Sequence, residues 1–272
     1  MSDIKSILLH LDSSERCAER TRVAGCIAET FGASVSGVYG VIPSLLRYPM
    51  GLEGPAGAVG LQQYDDACRE KANRLFSDVS AVSGRMRWEE VPGDSIGHFE
   101  RRALYADLLV LGQRNDEIPA AMDTPADFVF RQVVGSGHPV LLVPFAGTFP
   151  TVGQTVLIAW KETREAARAV SAAVPWLQKA RSVHAISYGK EAAASLQGLQ
   201  QYLSAHQVKI TTHTGDARDV NVGDDLLSRA ADIGADMLVM GCYGHSRARE
   251  WVMGGASRTI LRTMTVPVLM AH

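Results

Sequence analysis

A chain of 272 residues, 46% of them hydrophobic and 21% charged, has enough apolar material for a sizeable core under ordinary polar cover. Its 27 Lys and Arg against 29 Asp and Glu leave a formal charge of −2, which excludes the broad basic field a protein needs to coat nucleic acid. The four cysteines, Cys17, Cys26, Cys68 and Cys242, are too few and too irregularly spaced for a disulfide framework or paired zinc knuckles, and no apolar run approaches the ~20 residues of a membrane span.

The amino terminus enters a short apolar run without the basic flank and cleavage site of a secretory signal, so a soluble, cytoplasmic protein is expected, with no membrane partner. In chain order, short β-branched or apolar runs at 7–11, 35–41, 86–91, 108–111 and 140–143 predict five strands. The segment 14–31 carries Cys17, Ala24, Ile27 and Ala28 at three-to-four spacing and predicts an amphipathic helix. Between Pro43 and Asp66, seven prolines and glycines interrupt any period, which predicts a long loop that serves as a lid, a partner-binding segment or a solvated insertion. Residues 145–153 read as a short linker. Beyond it, strands are expected at 156–160, 183–188, 208–214, 237–240 and 268–270, with a helix at 164–177 on Ala166, Val170, Ala173 and Leu177.

The two halves are one pattern repeated. Ala106-Asp-Leu-Leu-Val-Leu-Gly112 returns as Ala235-Asp-Met-Leu-Val-Met-Gly241, and His138-Pro-Val-Leu141 returns as Val266-Pro-Val-Leu269, about 129 and 128 residues on. Strands alternating with helices select a parallel sheet, because parallel neighbours need crossover connections. The expected architecture is α/β: two tandem, doubly wound, Rossmann-like domains at 1–146 and 153–272, each a five-stranded parallel sheet with helices on both faces.

In open α/β sheets ligands bind beyond the carboxyl ends of the strands. After the fourth strand of the second half stands Gly241-Cys-Tyr-Gly244-His245-Ser-Arg247-Ala-Arg249-Glu-Trp-Val-Met-Gly254-Gly255-Ala-Ser257. Glycines let the backbone approach a ligand, and free N–H groups at a following helix start favour an anion, so this is a candidate phosphate cradle. Ser257 would cap the helix or bond a phosphate oxygen, and Arg247 and Arg249 would offset phosphate charge.

The spacing Gly241-x2-Gly244-x9-Gly254, followed by Gly255 and Ser257, resembles the signature of the universal stress protein family, and the strand pattern extends the resemblance to both halves. The resemblance implies a tandem member, often an ATP binder, in which ATP lies between the glycine motif and an Asp ending the first strand. In the second half that Asp is matched by Lys161, which cannot accept the hydrogen bonds a carboxylate would and instead contacts a phosphate or is solvated. Gly255 stands where ATP-binding members usually have Ser or Thr. In the first half Asp12 matches the family acid, but of the glycines only Gly112 remains. Asp116, Glu117 and Asp123 are expected to repel phosphate there, leaving Asp12 as the N-cap of the first helix or a ligand contact. The resemblance also implies pairing of final strands, here 140–143 against 268–270 within one chain as a pseudo-dimer; a homodimer of whole chains is compatible with it.

The eight histidines show no HxxxH or HExxH spacing, and nucleophile-elbow, Walker and CxxC motifs are absent, so neither a metal nor a catalytic group is expected. Arg16, Arg20 and Arg22, and Arg258 with Arg262, read as solvated helix faces. Cys242 reads as a small loop residue or a reactive thiol. Asp94 and Asp216 read as helix caps. The function expected is a stress-response binding module with ATP or another small anionic ligand in the second half. Two alternatives stand beside it: a nucleotide-free scaffold that engages partners through 43–66, and an adenine-nucleotide-dependent α/β enzyme.

Overall fold

The computed structural model describes residues 3–47, 54–81, 83–89, 91, 95–115, 117, 123–216, 221–242 and 255–272. Among them the first half runs β1 (Ser6–Leu11), α1 (Arg16–Phe31), β2 (Ser34–Tyr39), α2 (Ser44–Arg47), α3 (Gly54–Ser80), β3 (Met86–Glu89), α4 (Ser95–Ala103), β4 (Leu108–Gly112), α5 (Phe128–Gly135) and β5 (Val140–Val143). The second half runs β6 (Thr155–Ala159), α6 (Arg164–Leu177), β7 (Ser182–Tyr188), α7 (Ala192–Ala205), β8 (Thr211–Gly215), α8 (Val222–Asp232), β9 (Met237–Gly241), α9 (Gly255–Thr263) and β10 (Val268–Ala271).

All ten strands lie in one sheet, in the order β3-β2-β1-β4-β5-β10-β9-β6-β7-β8. The two five-stranded sheets are joined by the expected pairing of 140–143 with 268–270. They merge because β5 and β10 would each be an apolar edge strand, and pairing them removes both edges. That pairing is antiparallel, with Val268 opposite Leu142, Leu269 opposite Leu141 and Met270 opposite Val140. The other eight pairings are parallel.

Strand side chains alternate between two faces, and each face is covered by helices. Ile7, Leu9 and Leu11 of β1, with Val156 and Ile158 of β6, pack beneath α1, α3, α6 and α7. Leu8 and Leu157, of opposite parity, pack beneath α4, α5, α8 and α9. Both layers run across the junction. On the first face, Phe31 of α1 meets Trp176 of α6 edge-on with ring centroids 5.1 Å apart.

The repeated Ala-Asp dipeptide has a structural cause. At the entrance to β4, the Asp107 carboxylate accepts the backbone N–H groups of Lys5 (2.9 Å) and Ser6 (2.8 Å), which lead into β1. Asp236, entering β9, accepts those of Gly153 (3.0 Å) and Thr155 (2.9 Å), which lead into β6. Each aspartate thus fixes where a strand begins.

Three expectations are corrected here. The stretch 43–66 is not a long loop: Ser44–Arg47 is helical, and Gly54 onward forms the start of the 27-residue α3. Pro55 is compatible because its missing N–H falls in the first turn, where that donor has no helical partner. The glycines after it are carried by a helix anchored further on by Ala72 and Phe76, both buried. Second, α1 begins at Arg16, so Asp12 is not its N-cap; the Asp12 carboxylate instead closes a turn by accepting the Ser14 N–H at 3.0 Å. Third, α8 is capped by Asn221, whose side chain accepts the Gly223 N–H at 3.1 Å, while Asp216 lies well ahead of that helix. Asp94 lies outside the described residues.

Candidate functional site

Within each half the strand order reverses between its first and fourth strands, β1 and β4 in one and β6 and β9 in the other. Crossover helices leave such a pair in opposite directions and open a crevice at its carboxyl end.

In the second half, Ala159 of β6 lies opposite Met240 of β9, so Lys161 and Gly241 follow neighbouring strand ends. Lys161 is exposed, and its carbonyl accepts the Thr163 N–H at 2.7 Å. The Thr163 hydroxyl caps α6. Gly241 must be glycine for a packing reason: a Cβ there would run into the backbone of Glu165 and Ala166 in the first turn of α6. Cys242 is fully buried within the apolar layer and its N–H bonds the Ala271 carbonyl, so it continues β9 as a core residue, not an accessible loop thiol.

The α9 helix opens at Gly255. Ser257 is its third residue and is buried, which removes the cap role expected for it because the helix starts two positions earlier. Gly244, His245, Arg247, Arg249 and Gly254 lie outside the described residues. Of the expected site residues, the structure therefore places Lys161 and Gly241 at adjacent strand ends and Gly255 and Ser257 in the first turn of α9.

The first half presents a cleft of about 480 Å³ at the ends of β1, β4 and β5, within the range of small-molecule sites. Gly112, Leu142 and Val143 contribute strand ends, and Phe128, Phe130 and Leu261 contribute apolar wall. Five arginines line it: Arg16, Arg20, Arg114, Arg258 and Arg262. The last two belong to α9, so both halves build this cleft.

Its floor is a fixed ion pair. Arg20 is buried, donates from Nε to the His10 carbonyl at 2.7 Å and meets Asp12 Oδ2 at 2.9 Å. Its guanidinium lies over Gly112, where a Cβ would collide with Nη1. Burial opposes the Asp12 charge, but Arg20, His10 and the Ser14 donors together hold the carboxyl below its usual range. His10 is buried, with Nε2–H donating to the Gly40 carbonyl at 2.7 Å. Burial first, and then the Arg20 charge, push its pKa down to about 4, so the ring is neutral.

These contacts overturn two expectations. Arg16 and Arg20 do not form a solvated face: their i, i+4 spacing, just after the β1 strand end, turns both toward the cleft. Arg22 does lie outward, paired with Glu19. Asp123 does not confront a phosphate position, because its carboxylate is held by Arg47 at 2.7 Å and by the Ser13 hydroxyl at 3.1 Å. Glu117 is exposed, and Asp116 lies outside the described residues. Sequence reasoning also missed Gln113, which binds across the halves: its Nε2 donates to the Leu261 carbonyl at 3.1 Å, and its Oε1 accepts the Phe145 N–H at 3.0 Å.

Among the described residues no helix is long and apolar enough to cross a membrane, and no group of three or more His, Cys, Asp or Glu side chains could hold a metal ion. No curated protein matches the chain in sequence. The sequence model of the universal stress protein family matches residues 154–272. A universal stress protein from Archaeoglobus fulgidus superposes with a TM-score of 0.72 at 15% identity, over 98% of this chain and 95% of that one. A protein of unknown function from Pseudomonas aeruginosa superposes with a TM-score of 0.61 at 16% identity, over 98% of this chain and 92% of that one. Residues 154–272 thus match the universal stress protein family model, and the whole chain has the fold of a solved universal stress protein.

Proposed function

We propose that the protein is a cytoplasmic stress-response binding module, not an enzyme, whose second half holds ATP or a similar nucleotide. The observation that supports this reading is the start of α9 at Gly255. The glycine motif begins at Gly241, which ends β9 beside the end of β6, and α9 opens at its last glycine, Gly255. The N–H groups of a helix's first turn have no partner within the helix and, with the helix dipole behind them, favour a phosphate. Gly241, Gly244, Gly254 and Gly255 let the backbone approach the ligand, while Ser257, His245 and Arg247 supply donors. Lys161, exposed at the neighbouring strand end, takes a phosphate oxygen in place of the ribose contact that the family acid would make.

Equilibrium binding of labelled ATP to the wild-type chain and to Gly254→Val tests this. Saturable binding that weakens at least tenfold in the variant, about 1.4 kcal/mol, is the expected result. Absence of binding to the wild type, or equal binding to both proteins, overturns the reading.

A further inference from the structure

The second half carries a pair of histidines that neither the core nor the glycine motif accounts for. His184 of β7 and His213 of β8 lie diagonally across two parallel strands, with His184 opposite Thr211 and His213 opposite Ile186. Both share the strand parity of Ile186 and so stand on the face where Ile186 packs into the second apolar layer. β8 is the last strand of the sheet, so no further strand shields the pair, and both residues are partly exposed. His184 Nδ1 and His213 Nε2 are 3.1 Å apart. The ring centroids are 5.3 Å apart and the ring planes differ by 20°. These values describe two imidazoles meeting nitrogen to nitrogen, with one proton between them.

That spacing is also the one a metal ion asks of two ligands. Imidazole nitrogens bind transition ions at about 2.0–2.1 Å, so two of them at neighbouring positions of a square-planar or tetrahedral ion are about 2.8–3.4 Å apart. The strands therefore hold the nitrogens at the required separation in advance. Ligation asks only that the rings tilt and that the shared proton move to the other nitrogen of its own imidazole. It also requires neutral rings. Burial first, and then repulsion from His213, hold the pKa of His184 below its usual value, so this ring is neutral at neutral pH. Two nitrogen ligands suit Cu(II) or Zn(II) and not Mg(II) or Ca(II), which take oxygen. Further along the same face of β7, the Asp225 carboxylate is engaged by the Tyr188 hydroxyl at 2.6 Å and by Arg229 Nε at 3.0 Å, so it is not counted as a third ligand.

We propose that His184 and His213 form a surface site for a divalent transition ion, Cu(II) or Zn(II), with His184 Nδ1 and His213 Nε2 as its two protein ligands and water at the remaining positions. Structural zinc sites are closed by four protein ligands; this one stays open, so its ion remains exchangeable and accessible to a further ligand. The site uses only side chains of β7 and β8, so it stands whether or not the glycine motif binds a nucleotide.

Cu(II), which binds nitrogen sites most tightly in the divalent series, is titrated calorimetrically into the untagged full chain. The expected result is a saturable binding event that weakens about tenfold or more in His184→Gln and in His213→Gln, since losing a ligand costs no less than losing a group that orients one. His206→Gln, which removes a histidine at the end of α7, should leave it unchanged, as should Gly254→Val. An unchanged circular dichroism melt verifies the fold of each variant. A second measurement needs no variant: Zn(II) added to the wild-type chain with 15N-labelled histidine should shift Nδ1 of His184 and Nε2 of His213 together, and Mg(II) should shift neither. The proposal is overturned if the wild type binds Cu(II) no more tightly than His184→Gln/His213→Gln does, or if Zn(II) leaves these two nitrogens unmoved.

Discussion

His10 stands at the centre of the first-half floor, between the Asp12–Arg20 pair, the Gly40 carbonyl and the rings of Phe99 and Phe128 from α4 and α5. Its pKa falls from 6.5 to about 4 on folding, so between those values the unfolded chain takes up a proton that the folded chain refuses. Stability should therefore fall as pH drops from 6.5 to 4, by about 3 kcal/mol from this residue. Urea unfolding at successive pH values should show that His10→Gln loses this portion of the slope; an identical slope in both proteins would count against a neutral buried imidazole. The sequence shows a histidine near a strand end and no more, because apart from Asp12 its partners come from four other segments. Gly112 and Gly241 were legible as strand-end glycines. Their physical reasons were not: one makes room for a buried guanidinium and the other for the backbone of a neighbouring helix.

At the level of elements, the central strands were readable because strands buried on both faces are short unbroken apolar runs, and all ten strands, the partly exposed β3 and β8 included, fall within a few residues of their expected positions. Residues 54–66 were misread because glycine and proline were weighed locally, whereas the helix is decided by its packing against α1 and the sheet through Ala72 and Phe76. The cost of those glycines remains and is recoverable. Gly60 has open space where a Cβ would sit and lacks a left-handed backbone, so Gly60→Ala should stabilise the protein by about 0.5–1 kcal/mol. A rise in the urea midpoint at constant m-value is the expected signature, and a fall would mean that the helix does not persist through this position. The arginine cleft escaped sequence reading for a different reason. Its residues come from α1, the segment after β4, and α9, and only the antiparallel junction brings α9 alongside the first half.

At the scale of the molecule, the duplication was written in the repeated Ala-Asp and Pro-Val-Leu segments, while the pairing of 140–143 with 268–270 that closes it into one sheet was implied by the family resemblance and not by the residues themselves. The halves share both apolar layers and should unfold together. Trp176 is buried in α6, packs against Phe31 of α1 and closes the first layer across the junction. Trp176→Ala should cost about 3–5 kcal/mol and leave a cavity between the halves. Calorimetry should show one cooperative transition in the wild type and a lowered or divided one in the variant. Two independent transitions in the wild type would mean that the shared layers do not couple the halves.

The β5–β10 seam also has a consequence in time. While the chain is being synthesised, β5 is complete long before β10 exists, and its four residues Val140-Leu-Leu-Val143 carry neither a charge nor a proline to blunt an open edge. A nascent first half therefore displays a sticky ribbon whose intended mate has yet to be translated, and which a neighbouring nascent copy can satisfy equally well. The strand that makes the finished monomer one sheet is thus the same strand that makes its unfinished form liable to swap partners.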